Sequence, residues 1–177
     1  MYPFIRMAKE MAKFRNAEPL GLDGMHVSRH TCWPWDIDLW RELNNGRTLT
    51  LYDLGRIPLA MRAGLIDVLR RERWGLTMAG ACVRYRRRVR MFDTFEMRSH
   101  MVGWDARFIY LEQSMWRPDG ICANHAVYRG AVTGPDGIVP PATVLTAMGH
   151  DTRSPALPEF VQKWIEAEDL RPWPPQM

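Results

Sequence analysis

The sequence predicts an α+β fold in which about five antiparallel strands wrap around one long helix. Two observations carry this. Between residues 45 and 74, Leu51, Leu54, Pro58, Met61, Leu65 and Val68 recur at alternating spacings of three and four, which lines one face of a helix. Residues 76–132 then switch to a period of two, with runs at 95–102, 107–116 and 121–132 separated by Gly103-Trp104-Asp105-Ala106 and Pro118-Asp119-Gly120, both suited to antiparallel turns. A long apolar helix needs a sheet to cover it, and the strands follow directly.

In chain order, residues 3–15 read as an amphipathic helix with Phe4, Met7, Met11 and Phe14 on one side and Arg6, Lys9, Glu10 and Lys13 on the other. It is expected to pack on the fold or on a second subunit, with a peripheral membrane contact as the sharper alternative. Residues 16–24, with Pro19, Gly21 and Gly24, form a linker, and residues 25–33 a first strand ended by Pro34. His26 and His30 share a face of that strand, and without a third ligand in register they are read as polar strand residues rather than a metal site. In the long helix Pro58 predicts a kink and Gly64 a break before a second helical piece. Val83, Tyr85 and Val89 alternate with Arg84, Arg86, Arg88 and Arg90, as on a strand with one solvated face. After the turn cluster at 133–137, Pro140-Pro141 opens a short helix that Gly149 closes, residues 157–170 form another, and the tail Arg171-Pro172-Trp173-Pro174-Pro175 cannot be helical. The expected division is therefore 1–24, helix and linker; 25–150, the main domain; and 151–177, helix and tail. Trp33, Trp35, Trp40, Trp104 and Trp116 are expected mostly in the core, with an acyl tunnel as the alternative.

The 177 residues suffice for one domain with a proper core. The net charge of +4 is carried almost wholly by Arg, and the pI is near 9.2. Such a surface attracts nucleic acid, acidic lipid or a phosphorylated cofactor alike. The alternation around Arg84 to Arg90 argues against nucleic acid. Three widely spaced cysteines without a Cys/His cluster point to a reducing cytoplasm and no structural zinc. No apolar run reaches the length of a membrane span, and secretion is not expected.

The chemistry concentrates between the first strand and the long helix, in Trp35-Asp36-Ile37-Asp38-Leu39-Trp40-Arg41-Glu42-Leu43-Asn44-Asn45-Gly46-Arg47. Asn-Asn-Gly makes a good helix entrance, whose backbone N–H groups lie at the positive end of the helix dipole and suit a polarised carbonyl or oxyanion. Asp38 is near enough in sequence to reach the same substrate. Asp36 is expected to hold the loop through backbone hydrogen bonds, Asn44 to tie it to a neighbouring strand, and Glu42 to face solvent, with an acid or base role as the alternative.

Asp36-x-Asp38 followed by Asn44-Asn45-Gly46-Arg47 and a buried helix resembles the hotdog-fold acyl-CoA thioesterases of the 4-hydroxybenzoyl-CoA thioesterase type, and more nearly the thioesterase superfamily member 6-like branch. The resemblance covers residues 26–149. It departs at Glu42, where many relatives have His, and at Thr48, where they have Tyr. It implies that Asp38 is the nucleophile or general base and that the N–H groups of Asn45 and Gly46 hold the thioester oxygen. It also implies that basic residues after Trp104, hence Arg107, meet the nucleotide of coenzyme A; Arg88 and Arg90 are further candidates. The implied activity is hydrolysis of an acyl-CoA by a homodimer or dimer of dimers, with no cofactor beyond the CoA of the substrate and no metal. The rivals are a hotdog hydratase, against which stands the lack of any His between His30 and His100, and a non-catalytic acyl-binding protein.

Overall fold

The computed structural model describes residues 2–175. Helix α1 (Phe4–Phe14) leads through a coiled linker to strand β1 (His26–Thr31) and a single 3-10 turn (Pro34–Asp36). Then come α2 (Asn45–Arg62), α3 (Leu65–Glu72), β2 (Gly75–Tyr85), β3 (Thr94–Trp104), β4 (Ile109–Trp116), β5 (Cys122–Gly134), β6 (Gly137–Val139), α4 (Pro141–Met148) and α5 (Glu159–Leu170). The sheet order is β1-β3-β4-β5-β2, every pairing antiparallel, with β6 folded back on the end of β5. Five strands around one helix is the expected hotdog arrangement; the sixth strand arises because the predicted turn cluster closes a tight hairpin at Pro135-Asp136.

Helix α2 holds the fold together. Leu51, Tyr52 and Leu54 are fully buried and meet Phe95, Met97, Met115, Ala126 and Tyr128 of the sheet, each such side chain contributing about 1.5–3 kcal/mol. Gly55 lets the helix approach closely: a Cβ there would lie 2.5 Å from Ser99 Oγ and 2.6 Å from Met97 Sδ. The helix continues through Pro58 to Arg62, and Gly64, at φ 81°, makes the break before α3. A polar seam crosses the core, where the Tyr52 hydroxyl donates to Asn124 Oδ1 at 2.5 Å and Gln113 Nε2 donates to Tyr52 O and Ser99 Oγ.

Helix α1 packs on α2 with Met7 buried and Met11 against the core, as Tyr2 before it also is. Contrary to the expected division of its faces, Phe4 is exposed while Glu10 is buried and Arg6 turns inward, because the buried carboxylate of Asp36 draws that side of the helix onto the fold. β1 turns His26, Ser28 and His30 inward, so these histidines are buried, and burial lowers their pKa values to about 4 and about 3. No helix among the described residues is long and apolar enough to cross a membrane.

The tryptophans depart from expectation. Trp104 is buried, but Trp33, Trp35 and Trp40 are exposed. They lie on the loop at the end of the sheet, which no element covers, so their size cannot be used in the core.

Candidate active site

The loop between β1 and α2 is built around one carboxylate. Asp36 is fully buried, and Arg6 Nη1 from α1 and Arg47 Nε from the first turn of α2 each donate to it at 2.7 Å. The Trp33 N–H donates to the same carboxylate at 3.0 Å, and the Asn44 N–H to the Asp36 carbonyl at 3.0 Å. Asp36 thus supports the loop less through its own backbone than through two arginines, which offset the cost of burying its charge.

Asn44 caps α2, its Oδ1 accepting the Arg47 N–H at 3.0 Å. This corrects the expected tie to a neighbouring strand: with extended backbone at the cap position the side chain folds onto the helix's own first turn. Among the described residues, the N–H groups of Asn45 and Gly46 have no acceptor, and both residues are exposed. They are available to a ligand at the positive end of an eighteen-residue helix.

Asn45 lines a pocket of about 200 Å³ together with Glu42, Leu43, Thr48, Tyr85, Arg86, Arg87, Arg88, Val89 and Asn124, and Gly46 is the next residue, outside that lining. The strand alternation expected through Arg90 stops at Tyr85, because both Arg86 and Arg87 donate their N–H groups to the Ala123 carbonyl and the chain swings away from the sheet. The arginines after Tyr85 therefore form the wall of the pocket rather than the solvated face of a strand. Arg88 Nε donates to Glu42 Oε2 at 2.9 Å, and Glu42 bridges to Arg90 through the backbone. Glu42, expected toward solvent, is half-buried in this pair. The Tyr85 hydroxyl donates to the Asn45 carbonyl at 3.4 Å, and burial raises its pKa, which keeps it a neutral donor.

Asp38 sits in a tight turn at the rim. Its Oδ1 accepts the Trp40 N–H at 2.8 Å and the Glu42 N–H at 3.4 Å, while the backbone closes the turn from Asp38 N–H to the Glu42 carbonyl at 2.9 Å. Its other carboxylate oxygen has no hydrogen bond among the described residues, and Asp38 does not line the pocket. Arg90 is exposed nearby. Arg107 lies in the β3–β4 turn, at the opposite end of an eleven-residue strand from the loop, and one chain does not bring it to the pocket. The sequence marks Tyr85, Arg86 and Arg87 as part of the arginine run and Thr48 as a departure from relatives, but not Asn124, whose core position on β5 leaves no local signal, nor their convergence on one pocket, which depends on the backbone swing after Tyr85. No set of three or more His, Cys, Asp or Glu among the described residues could hold a metal ion.

The model of the thioesterase-like superfamily matches residues 32–165, which includes the loop, the central helix and all the strands after it. The chain belongs to this superfamily. Among curated relatives of this thioesterase-like chain, it is 31% identical to Protein THEM6 of Xenopus laevis over 169 residues, 94% of this chain and 80% of that one. It is 28% identical to Protein THEM6 of Drosophila melanogaster over 78% of this chain and 71% of the relative. Among solved structures, Slr0204, a 1,4-dihydroxy-2-naphthoyl-CoA thioesterase from Synechocystis, superposes with a TM-score of 0.60 over 71% of this chain and 95% of its own, at 9% identity. This last likeness shows the shared hotdog fold.

Proposed function

We propose that this member of the superfamily hydrolyses the thioester of an acyl-CoA at the entrance of α2. The observation that carries the reading is the pair of unengaged N–H groups of Asn45 and Gly46, which open beside a basic pocket and follow directly on a loop bearing Asp38. In this reading the thioester carbonyl oxygen accepts from those two N–H groups. Asp38, through its unbonded oxygen, takes the proton of a water attacking the carbonyl carbon, or attacks it directly. The C–S bond then breaks and the leaving thiolate recovers a proton. Arg86, Arg87 and Arg88 supply charge for the phosphates of the nucleotide, with Arg90 at the edge; Arg107 contributes only where a second subunit brings its turn near. The substrate is the only cofactor-like component, and the protein works in the cytoplasm as a homodimer or dimer of dimers.

Support for the assembly comes from β2, an eleven-residue strand whose outer edge has no neighbouring strand among the described residues. A long unpaired edge of this kind is suited to pairing with its copy.

A second reading is favoured by one feature: Asp38 is engaged in its own turn and stands outside the pocket lining. A protein that binds acyl-CoA without turnover would look the same. Thiol release from short, long and aromatic acyl-CoA substrates separates the two. Hydrolysis requires that Asp38→Asn lose at least about a hundredfold in turnover with the fold intact, while Glu42→Gln, which breaks the pair with Arg88, weakens binding more than turnover. Acyl-CoA binding with no thiol release from any substrate would replace hydrolysis with the binding reading.

A further inference from the structure

Six large apolar side chains stand in solvent on the two loops that frame the pocket: Trp33, Trp35, Leu39, Trp40, Met91 and Phe92. Leu39 is 95% exposed, Trp40 78%, Trp35 65% and Phe92 58%. Three of them touch, and the loops that carry all six are tied together. The rings of Trp33 and Trp35 stack with centroids 5.4 Å apart, and Phe92 meets Trp33 edge-on at 6.2 Å. The loops that carry them are joined by hydrogen bonds from Phe92 N–H to the Cys32 carbonyl at 2.7 Å, Cys32 N–H to the Asp93 carbonyl at 2.9 Å and Leu43 N–H to the Val89 carbonyl at 2.8 Å. Leu39 and Trp40 occupy the tip of the turn that Asp38 and Glu42 close. Phe92 is held at φ 66°, a conformation unfavourable to a bulky residue.

This ledge is edged by exposed Arg41, Arg86, Arg87, Arg88 and Arg90, offset locally by Asp38, Glu42 and Asp93. We propose that the ledge docks at the headgroup boundary of an anionic membrane, with Leu39, Trp40 and the stacked indoles entering the interface and Arg41 and Arg90, which lie outside the pocket lining, meeting lipid phosphates. Indole rings, apolar in body with one polar N–H, favour that boundary, and guanidinium groups bind phosphate bidentately. Charge decides against a second copy of this chain as the occupant. In a two-fold contact over the same surface both partners carry the same net positive charge, which opposes their pairing, whereas an anionic lipid surface complements it. An acidic carrier protein would match the arginines but leave Leu39 and Trp40 projecting without an apolar surface to receive them. The docking surface is distinct from α1, whose exposed Phe4 and Ile5 lie outside the two loops, and the inference does not depend on the hydrolytic reading.

The test is co-sedimentation of the whole protein with vesicles of phosphatidylcholine alone and of phosphatidylcholine mixed with phosphatidylglycerol, with tryptophan emission recorded in parallel. The expected result is binding to the mixed vesicles with a blue shift, weaker binding without phosphatidylglycerol, and a loss of roughly tenfold or more in partitioning for Leu39→Ala/Trp40→Ala. Phe92→Gly is the second variant: it removes a ring while giving the backbone the residue that φ suits, so it keeps the fold and still lowers binding. Failure to bind mixed vesicles overturns the proposal. So does binding that neither variant changes. Variants that turn a dimer into a monomer, with no vesicle binding by the parent, would assign the ledge to a second copy, and retention by an acidic carrier protein but not by vesicles would assign it to such a partner.

Discussion

Asp36 shows how much a single side chain can organise. It is fully buried and receives a guanidinium from each of two helices, Arg6 on α1 and Arg47 on α2. Removing the carboxylate leaves both cations in a largely desolvated site, which for buried pairs costs about 3–5 kcal/mol. Asp36→Ala is therefore expected to shift the urea unfolding midpoint strongly downward, whereas Asp38→Ala, at the half-exposed rim, should cost well under half as much; equal losses would show that Asp36 has no special structural place. The sequence marked Asp36 as a structural residue, but only through local turn chemistry. Its arginine partners are 30 and 11 residues away, and no spacing rule connects them. The tryptophans failed in the opposite direction. Indole size favours burial on average, but Trp33, Trp35 and Trp40 occupy a loop beyond the last strand residues, where local sequence offers no sign of whether anything covers them.

Among the elements, α2 and the strands after it were legible because each buries one face, and burial leaves a period of four-and-three or of two. The end of β2 was not: alternation of Arg with apolar residues continues past Tyr85, but two N–H groups compete for the single Ala123 carbonyl and turn the chain out of register. The contact of α2 with the sheet has no slack at Gly55. Gly55→Ala gains helix propensity, yet its Cβ would fall within 2.6 Å of both Ser99 Oγ and Met97 Sδ, so a net loss of about 1–3 kcal/mol is expected by chemical denaturation; a stabilised variant would mean that helix and sheet can separate freely. β1 carries an acid sensitivity of its own. His26 and His30 are folded with pKa values lowered to about 4 and about 3, by burial first and then by nearby cations, Arg62 for His26 and Arg6 for His30. The unfolded chain takes up these protons near the ordinary histidine value of about 6.5. Stability from this source is thus complete above that pH and lost as pH falls, at up to about 1.4 kcal/mol per pH unit per histidine, until the folded values are reached. Unfolding midpoints between neutral pH and pH of about 4.5 should fall steadily, and His30→Leu should flatten that slope whatever it does to stability at neutral pH.

At the level of the whole molecule, one end of the sheet carries the helix entrance, the pocket, the basic wall and the apolar ledge, while the opposite end carries the turn with Arg107. On the outer sheet face Glu112 is held by His125 Nε2 at 2.5 Å and His100 Nε2 at 3.4 Å, and these hydrogen bonds bring its pKa down to about 2. That link joins β3, β4 and β5 and contributes stability above the ordinary carboxylate range, lost as pH falls toward 2. The open edge of β2 predicts a sedimentation mass of twice the chain's 20.6 kDa; a monomer at micromolar concentration would leave the edge to some other cover. The architecture was readable from periodicity because it follows from burial within one chain. The pocket was only half readable, since the loop residues are contiguous but the wall is assembled from β2, the segment after it and β5.

The hold of Arg6 on Asp36 also couples two motions. Whenever α1 lifts from α2, the buried carboxylate loses one of its two counter-ions at the moment water reaches it, and the capped first turn of α2 loses its anchor. Departure of the amino-terminal helix and loosening of the helix entrance are then one opening event. Amide hydrogen exchange should report a shared protection for residues 7–14 and for Asn44, Arg47 and Thr48, and Arg6→Ala should raise both exchange rates together while leaving β4 and β5 as slow as before.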